Sequence, residues 1–319
     1  MKKIFLFMVI MITIVGFSLY SHAEQTLETS SAVNKLVIVK HNNSTYKYIV
    51  DNDATDKAKR FYTVLLKKTR VNYKLNEVPL VVVNLISINP KPPFFIISKR
   101  KKARFTLVVF KNIIKNFFKN KLSKLIGSKI EQSANSQEVL TANSFYTRTL
   151  LHLLSHFTGP SIIQDTSKKF VLNNEIIGDN FKKIEELRAD MLALTITNSL
   201  IPDSSSKRRM DTLLKMTKKE QYSIFISHIA YLIYLSNNGT QEQKELSLMQ
   251  LELFKEKGCL FSNIITKKYS IDINEFRVII KKLLRKFTKF EKNAVSAEVQ
   301  TEILSFFNKE DNKSIKTKE

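Results

Sequence analysis

The strongest constraint on the fold is a change in hydrophobic period along the chain. Before the segment 89–93, β-branched residues form short runs at 35–39, 45–50 and 78–88, and these predict strands. After it, apolar residues recur every three to four positions, as they do on one face of a helix. Three prolines within residues 89–93 break regular structure between the two patterns. We therefore predict an α+β fold that is predominantly α-helical.

The helical part opens with a basic amphipathic stretch from Phe110 to about Ile126, whose apolar positions share one face while lysines occupy the other. The uncharged stretch from Tyr222 to Asn238 is too short and too polar for a membrane span, so it is predicted as a buried helix. The same period predicts helices at 144–157, 181–199, 207–236, 241–257, 274–290 and 296–307.

Helix ends have their own signals. Asp53 is a candidate N-cap for a helix in the first part that ends near Lys68. Gly258 stands where a glycine commonly ends a helix. Together the patterns predict a signal peptide at 1–23, a small α/β segment at 24–94, a helical domain at 95–307 and a charged tail at 308–319.

The first residues have the pattern of an export signal. Lys2 and Lys3 precede an apolar run at 4–20, and Ser21-His22-Ala23 forms a small-x-small cleavage site. An uncleaved membrane anchor is the alternative, because the run approaches the ~20 residues of a span. We expect cleavage after Ala23 and a periplasmic or extracellular location. Cys259 is the only cysteine, which excludes an intramolecular disulfide.

The formal net charge of +23 has two interpretations. Such an excess is found in proteins that bind nucleic acid or anionic surfaces. Most of the 52 basic residues are lysines, however, whereas nucleic-acid readers rely on arginine and exposed aromatic side chains. We therefore expect no nucleic-acid partner, and only a weak association with an anionic membrane surface.

The segment that carries chemistry is Leu151-His152-Leu153-Leu154-Ser155-His156. Two histidines four residues apart project from one face of a helix and can bind one metal ion. A hydrolytic zinc site requires three protein ligands, and the third is commonly a carboxylate from elsewhere in the chain.

Glu185, Glu186 and Asp190 offer that carboxylate on a second predicted helix. Because Glu186 and Asp190 are four residues apart, one can bind a metal while the other orients a ligand histidine. Both the histidine pair and the acidic residues can be explained without a metal. Histidine pairs arise by chance, and acidic residues favour the first turn of any helix.

At these residues the chain resembles a known family. His152–Pro160 and Glu185–Asp190 resemble the H-E-x-x-H-x-x-G-P and E-E-x-x-A-D motifs of bacterial relatives of dipeptidyl-peptidase III. The resemblance extends over roughly residues 95–307 and implies a helical zinc-metallopeptidase-like lobe. Residues 24–94 are far shorter than the N-terminal lobe of that family.

The resemblance implies that His152, His156 and Glu186 bind Zn²⁺ and that Asp190 supports a ligand histidine. It also reveals two departures from the family. Leu153 stands at the position of the general base, and Gln243 stands near the position of a histidine that supports the transition state. Loss of a general base typically costs about 10²–10⁴ in rate.

We therefore expect an exported zinc-binding pseudopeptidase that binds a peptide or protein partner. Two alternatives remain open at this stage. One is an active metallopeptidase that recruits a different base, such as Glu185. The other is a basic envelope-associated protein without a metal, in which the motifs are relics.

Overall fold

The computed structural model describes residues 36–41, 44–69, 80–85, 96–101, 104–131, 142–158, 162–164, 170–172, 177–178, 180–200 and 214–316. The predicted signal peptide lies outside these residues, as does the Gly159-Pro160 step. Contacts divide the chain into two compact units. The first comprises 1–64 and 72–117, and the second comprises 65–71 and 118–319.

The first unit is built on a five-stranded sheet. Its strands are β1 (Leu36–His41), β2 (Ser44–Val50), β3 (Leu80–Leu85), β4 (Ile96–Lys101) and β5 (Arg104–Phe110), and their order is β1-β2-β3-β5-β4. Only the β3–β5 pair is parallel, with Leu80 opposite Leu107 and Val83 opposite Phe110. Strands β4 and β5 were not predicted. In β4, Lys99, Arg100 and Lys101 obscure the alternation of polar and apolar residues that would indicate a strand. Strand β5 runs directly into the helix that begins at Lys111, so its apolar run is difficult to separate from the helical pattern.

Helix α1 (Asn52–Thr69) follows β2, close to the predicted bounds. The prediction that Asp53 is the N-cap is wrong, because the N-cap is Asp51, two residues earlier. The side chain of Asp51 accepts a hydrogen bond from the backbone N–H of Ala54 at 2.9 Å, and Asp53 lies inside the first turn. Asp51 and Asp53 are difficult to rank as N-caps from the sequence, because the helix dipole stabilises an acidic residue at either position.

The basic amphipathic stretch is helical from Lys111 onward, because Phe110 is the last residue of β5, and the helix is not uniform. An α-helix, α2 (Lys111–Phe117), continues through a π-helical turn at Phe118–Leu122 into α3 (Ser123–Lys129). The apolar residues Ile114, Phe118, Leu122 and Ile126 are buried, as the 3.6-residue period predicts.

The second unit is mainly helical. Its elements after α3 are α4 (Ala142–Ser155), a 3₁₀ turn (His156–Thr158), β6 (Ile162–Gln164), β7 (Phe170–Leu172), α5 (Asn180–Ser199), α6 (Lys218–Asn238), α7 (Gln241–Glu256), β8 (Leu260–Ser262), β9 (Tyr269–Ile271), α8 (Ile273–Lys292) and α9 (Ala297–Lys316). The prediction of a mainly helical α+β fold is confirmed.

Two helix limits differ from the predictions. Helix α6 begins at Lys218, not at 207, because Thr217 and Glu220 form a reciprocal capping box that fixes its start. Helix α9 continues to Lys316 and so includes part of the predicted charged tail.

Two other expectations about the helices are confirmed. The stretch Tyr222–Asn238 lies within a largely buried helix. Gly258 follows α7 with a φ of 69°, which is the left-handed conformation expected of a terminating glycine. Among the described residues no helix has both the length and the apolar character needed to cross a bilayer.

The candidate site is positioned by the packing of five helices in the second unit. Helix α4 packs against both α5 and α6, α8 lies along α5, and α7 packs against α6. Ala189 is fully buried in α5, where its small side chain permits close approach of a neighbouring helix. This arrangement brings polar side chains from several helices into one interior region.

Candidate metal site

Three side chains converge at the junction of α4 and α5. The Nε2 atoms of His152 and His156 lie 3.1 Å apart. Glu186 places one carboxylate oxygen 3.4 Å from Nε2 of His152 and the other 3.5 Å from Nε2 of His156. Ligands at about 2.0–2.1 Å from a tetrahedral zinc ion are separated by roughly 3.3 Å from one another. The three side chains therefore fit a single small cation.

The local fold explains why the two histidines meet. His152 lies in the last turn of α4, and His156 opens the 3₁₀ turn that continues it. Residues four apart lie on the same face of a helix, and the two rings stand edge to face with centroids 4.7 Å apart. Glu186 lies on α5, which packs against α4. Sequence spacing and helix packing together produce the group.

A first group of buried partners lies behind His152. Its Nδ1 atom is 2.7 Å from Oδ1 of Asp190. The guanidinium of Arg148 donates a hydrogen bond to the same carboxylate, and the side-chain amide of Gln250 donates to its other oxygen at 3.0 Å. Arg148 in turn donates from Nε to Nδ1 of His228 at 3.2 Å. Asp190 is therefore held on several sides while it faces the ring of His152.

A second group lies behind His156. Glu185 contacts Nδ1 of His156 and accepts a hydrogen bond from Arg188 at 3.1 Å. Arg188 also donates to Glu291 at 2.7 Å and to the carbonyl oxygen of Ser155 at 3.1 Å. Each of the two candidate ligand histidines thus has a carboxylate on its Nδ1 side and an arginine behind that carboxylate. Such partners fix the tautomer and the orientation of a ligand imidazole.

The charges of the site are balanced by these contacts. Burial disfavours the charged form of Asp190, but Arg148 and His152 outweigh it and hold the pKa of its carboxyl well below the usual range. Burial likewise opposes ionisation of Glu185, and the positive charges of His156 and Arg188 lower its pKa nevertheless. Both acids are therefore carboxylates that accept hydrogen bonds.

At the face where the three candidate ligands meet, two pKa values are raised, whereas those of Asp190 and Glu185 are lowered. Burial raises the pKa of Glu186. Burial also opposes protonation of His156, but the charges of Glu185 and Glu186 prevail and raise its pKa to about 9. Among the described residues, Oε1 of Glu186 is buried without a hydrogen-bond donor. A buried carboxylate oxygen of this kind is costly unless a cation or another donor satisfies it.

Leu153 and Gln243 are the two positions at which the sequence departs from the motifs that it resembles. Leu153 is 2% exposed and has no atom that accepts a proton. Gln243 lies in the first turn of α7, where it forms a reciprocal capping box with Thr240. Its carbonyl oxygen accepts a hydrogen bond from the backbone N–H of Thr240 at 3.0 Å. The side chain of Gln243 is thus engaged in capping its own helix.

Sequence reasoning missed five members of the site, namely Arg148, Arg188, His228, Gln250 and Glu291. Arg148, Arg188, His228 and Glu291 are almost fully buried among the apolar residues that form the core. An isolated charged or polar residue on the apolar face of a predicted helix is a signal that it has a buried partner. That signal would have singled out these residues without identifying which partner each one has.

Two solved structures are similar to this chain in fold. No protein-family model and no curated protein matches the chain. The structure of dipeptidyl-peptidase III from Caldithrix abyssi matches with a TM-score of 0.67 at 16% sequence identity, over 82% of this chain and 51% of that one. Dipeptidyl-peptidase III from Corallococcus sp. strain EGB matches with a TM-score of 0.59 at 17% identity, over 84% of this chain and 53% of that one.

These matches confirm the predicted resemblance to dipeptidyl-peptidase III at the level of the fold. The chain spans about half the length of each of the two enzymes. The His152, His156 and Glu186 group is a candidate metal site within that fold.

Proposed function

We propose that this protein is a zinc-binding, dipeptidyl-peptidase III-like pseudopeptidase that binds a peptide or protein partner without cleaving it. The observation that carries the proposal is the convergence of His152, His156 and Glu186 at metal-ligand separations beside a buried Leu153. The peptide as partner rests on the two similar structures, which are named as dipeptidyl peptidases.

The donor set suits zinc more than a hard cation. Two imidazole nitrogens and one carboxylate form a ligand set found in zinc peptidases, whereas Ca²⁺ and Mg²⁺ prefer oxygen ligands alone. A bound zinc ion would supply Lewis-acid polarisation of a peptide carbonyl. Hydrolysis also requires a side chain that accepts a proton and delivers it to the leaving amine.

Neither acid beside the site is free to take the role of the missing base. Glu185 is held between Nδ1 of His156 and the guanidinium of Arg188. Asp190 is held between Nδ1 of His152, Arg148 and Gln250. Both carboxylates lie on the Nδ1 side of the rings, across the imidazoles from the Nε2 atoms that face Glu186. This geometry favours the pseudopeptidase over an active enzyme that recruits another base.

The metal content of the purified chain tests the first half of the proposal. We expect about one zinc per chain in the wild type, and a loss of most of it in His156→Ala and in Glu186→Ala. His41→Ala is a matched control, since His41 lies on β1 in the other unit. A wild-type chain that binds no zinc would favour the alternative of a basic envelope-associated protein without a metal.

A peptidase assay tests the second half. Wild-type protein with a full complement of zinc is incubated with a set of peptides and with chromogenic dipeptide amides. The expected result is binding of peptides without cleavage. Cleavage that is abolished both by a chelator and by Glu186→Ala would instead establish the active-enzyme alternative.

Export is a separate part of the proposal. The basic start, the apolar run at 4–20 and the Ser21-His22-Ala23 site support secretion with Glu24 as the first mature residue. N-terminal sequencing of protein from the cell envelope should begin at Glu24. An intact chain that starts at Met1 in the membrane fraction would indicate an anchor.

A further inference from the structure

The turn between β8 and β9 carries the most exposed large apolar side chains among the described residues. Ile264 and Ile265 are 90% and 92% exposed, and Phe261 on β8 is 50% exposed. The other exposed large apolar residues (Leu248, Val278 and Leu304) are isolated and are 41–54% exposed. Isolated apolar side chains are normal on a surface, but an adjacent pair that projects almost completely into solvent is not.

The turn is held in one conformation by its own hydrogen bonds. The side-chain oxygen of Asn263 accepts from the backbone N–H groups of Ile265 at 2.9 Å and Thr266 at 3.0 Å. The backbone N–H of Asn263 donates to the carbonyl oxygen of Lys268 at 2.8 Å. Lys267 takes a φ of 53°, which a non-glycine residue adopts only when its surroundings require it. The two isoleucines are therefore presented outward by an ordered turn.

The hairpin is also attached to the helix end that precedes Glu131. Asn263 and Thr266 both donate side-chain hydrogen bonds to Oε1 of Glu131, at 3.0 and 3.1 Å. The ammonium group of Lys268 lies 3.3 Å from the carbonyl oxygen of Gly127 in α3. The apolar tip consequently cannot fold back onto the protein without breaking these contacts.

The surroundings of the tip are positively charged. Residues 261–268 contain Lys267 and Lys268 and no acidic residue. The adjoining helical segment exposes further lysines at positions 121, 124 and 129. Glu131, the acid that contacts the turn, accepts hydrogen bonds from the uncharged side chains of Asn263 and Thr266, and the five lysines outnumber this one acid. An exposed apolar tip is thus combined with a basic rim.

We propose that this hairpin tip inserts shallowly into the interface of an anionic phospholipid bilayer. Phe261, Ile264 and Ile265 would enter the boundary between headgroups and acyl chains, while Lys267, Lys268 and the lysines of α3 face the anionic headgroups. Stable membrane binding generally combines an apolar contact with an electrostatic one, and the tip provides both. The inference is independent of the candidate metal site.

A bilayer suits the tip better than a protein surface does. A specific protein–protein interface buries about 800 Å² on each partner, and two isoleucines with half a phenylalanine ring fall short of that area. A convex tip also offers no groove for a partner side chain. A lipid interface requires neither a groove nor a large complementary area, only apolar insertion beside positive charge.

Fluorescence can test insertion at the tip alone, because the chain contains no tryptophan. In the full chain, Ile265→Trp places one indole on the tip, and Leu304→Trp places one at an exposed site on α9 as the control. Vesicles of phosphatidylcholine with phosphatidylglycerol should shift the emission of Ile265→Trp to shorter wavelength, and brominated lipids should quench it. Leu304→Trp should show neither effect. The readout excludes any contribution from the apolar run at 4–20.

Vesicle co-sedimentation supplies the affinity. Ile264→Ser with Ile265→Ser should weaken partitioning at least tenfold, and Lys267→Gln with Lys268→Gln should weaken it about fivefold for each charge removed. Leu304→Ser should bind as the wild type does. Equal emission shifts with neutral and anionic vesicles, or no shift in Ile265→Trp, would overturn the proposal. A wild-type dimer in light scattering that the double serine variant abolishes would assign the tip to a second copy instead.

Discussion

The Nδ1 atom of His152 lies 2.7 Å from Oδ1 of Asp190, on the side of the ring opposite to the Nε2 atom that faces Glu186. When the ring proton is on Nδ1, facing this carboxylate, Nε2 is unprotonated and directed at the candidate metal position. Arg148 helps to keep Asp190 ionised for this role, because its guanidinium donates a hydrogen bond to the same carboxylate. Removal of Arg148 should therefore affect the candidate metal position through Asp190 and His152.

Arg148→Met should lower zinc affinity about 10–100-fold, which is the usual effect of removing a partner of a ligand histidine. It should also destabilise the fold by about 3–5 kcal/mol, because Asp190 is left as a buried charge with fewer partners. Arg277→Met is the control, since Arg277 donates to Gln221 outside the site. Zinc affinity is measured by competition with a chromogenic chelator. Unchanged affinity in a folded Arg148→Met protein would contradict the role assigned to Arg148.

Leu153→Glu should not produce an efficient enzyme. The substitution returns a carboxylate to the residue after a ligand histidine, at a position that is 2% exposed in the wild type. We expect a gain in peptide hydrolysis well below the about 10²–10⁴-fold that a positioned base supplies. The reason is that Gln243 is an amide that caps its own helix and cannot take the role of a protonatable imidazole.

Hydrolysis is compared in the wild type, Leu153→Gln, Leu153→Glu, and Leu153→Glu combined with Gln243→His. The Gln variant controls for the change in polarity at position 153. Efficient cleavage by Leu153→Glu alone would show that the rest of the catalytic apparatus is intact.

His228 should make the metal-free protein sensitive to acid. Burial and the positive charge of Arg148 lower its pKa to about 3, against an ordinary value of about 6.5. Between about pH 3 and 6.5, His228 is therefore protonated in the unfolded chain but neutral in the native protein. The contribution of neutral His228 to the free energy of unfolding is fully present above about pH 6.5. It decreases by up to ~1.4 kcal/mol per pH unit as the pH drops toward about 3.

His228→Gln removes this contribution. Urea unfolding in the presence of a chelator, at pH values from 7 down to about 5, should show a shallower decline for the variant than for the wild type. Because both proteins retain the groups that face His228, namely Arg148, Asp190 and His152, the difference isolates the one histidine. Parallel stability curves would contradict a depressed pKa at His228.

Two glycines should respond to alanine with opposite signs. Gly258 has a φ of 69°, so Gly258→Ala should cost roughly 1 kcal/mol of unfolding free energy, since a side chain is strained in that conformation. Gly127 lies inside α3 with open space around the position of an added Cβ, so Gly127→Ala should stabilise by about 0.5–1 kcal/mol. Thermal unfolding of both variants beside the wild type checks the pair. A stabilising Gly258→Ala would contradict the helix end described above.

Most helices and the three candidate ligands could be predicted because their signals are local. The spacing of His152 and His156 places both on one helix face whatever the rest of the chain does. The same holds for Glu186 and Asp190 on α5. The missed strands β4 and β5 show the limit of this approach, since Leu80 and Leu107 pair across the segment 89–93, which the sequence indicates only as a break.

By itself, the sequence determined the helical period, the pairing of residues four apart and the apolar Leu153 directly after His152. Only the tertiary structure decided what stands behind the ligands. Arg148 meets His228 across 80 positions, and Arg188 meets Glu291 across 103. Such pairs depend on how α4, α5, α6 and α8 pack, and packing is set by the sum of many weak apolar contacts that no short motif records. A buried charge indicates that it needs a partner, and the packing of the helices selects which partner it has.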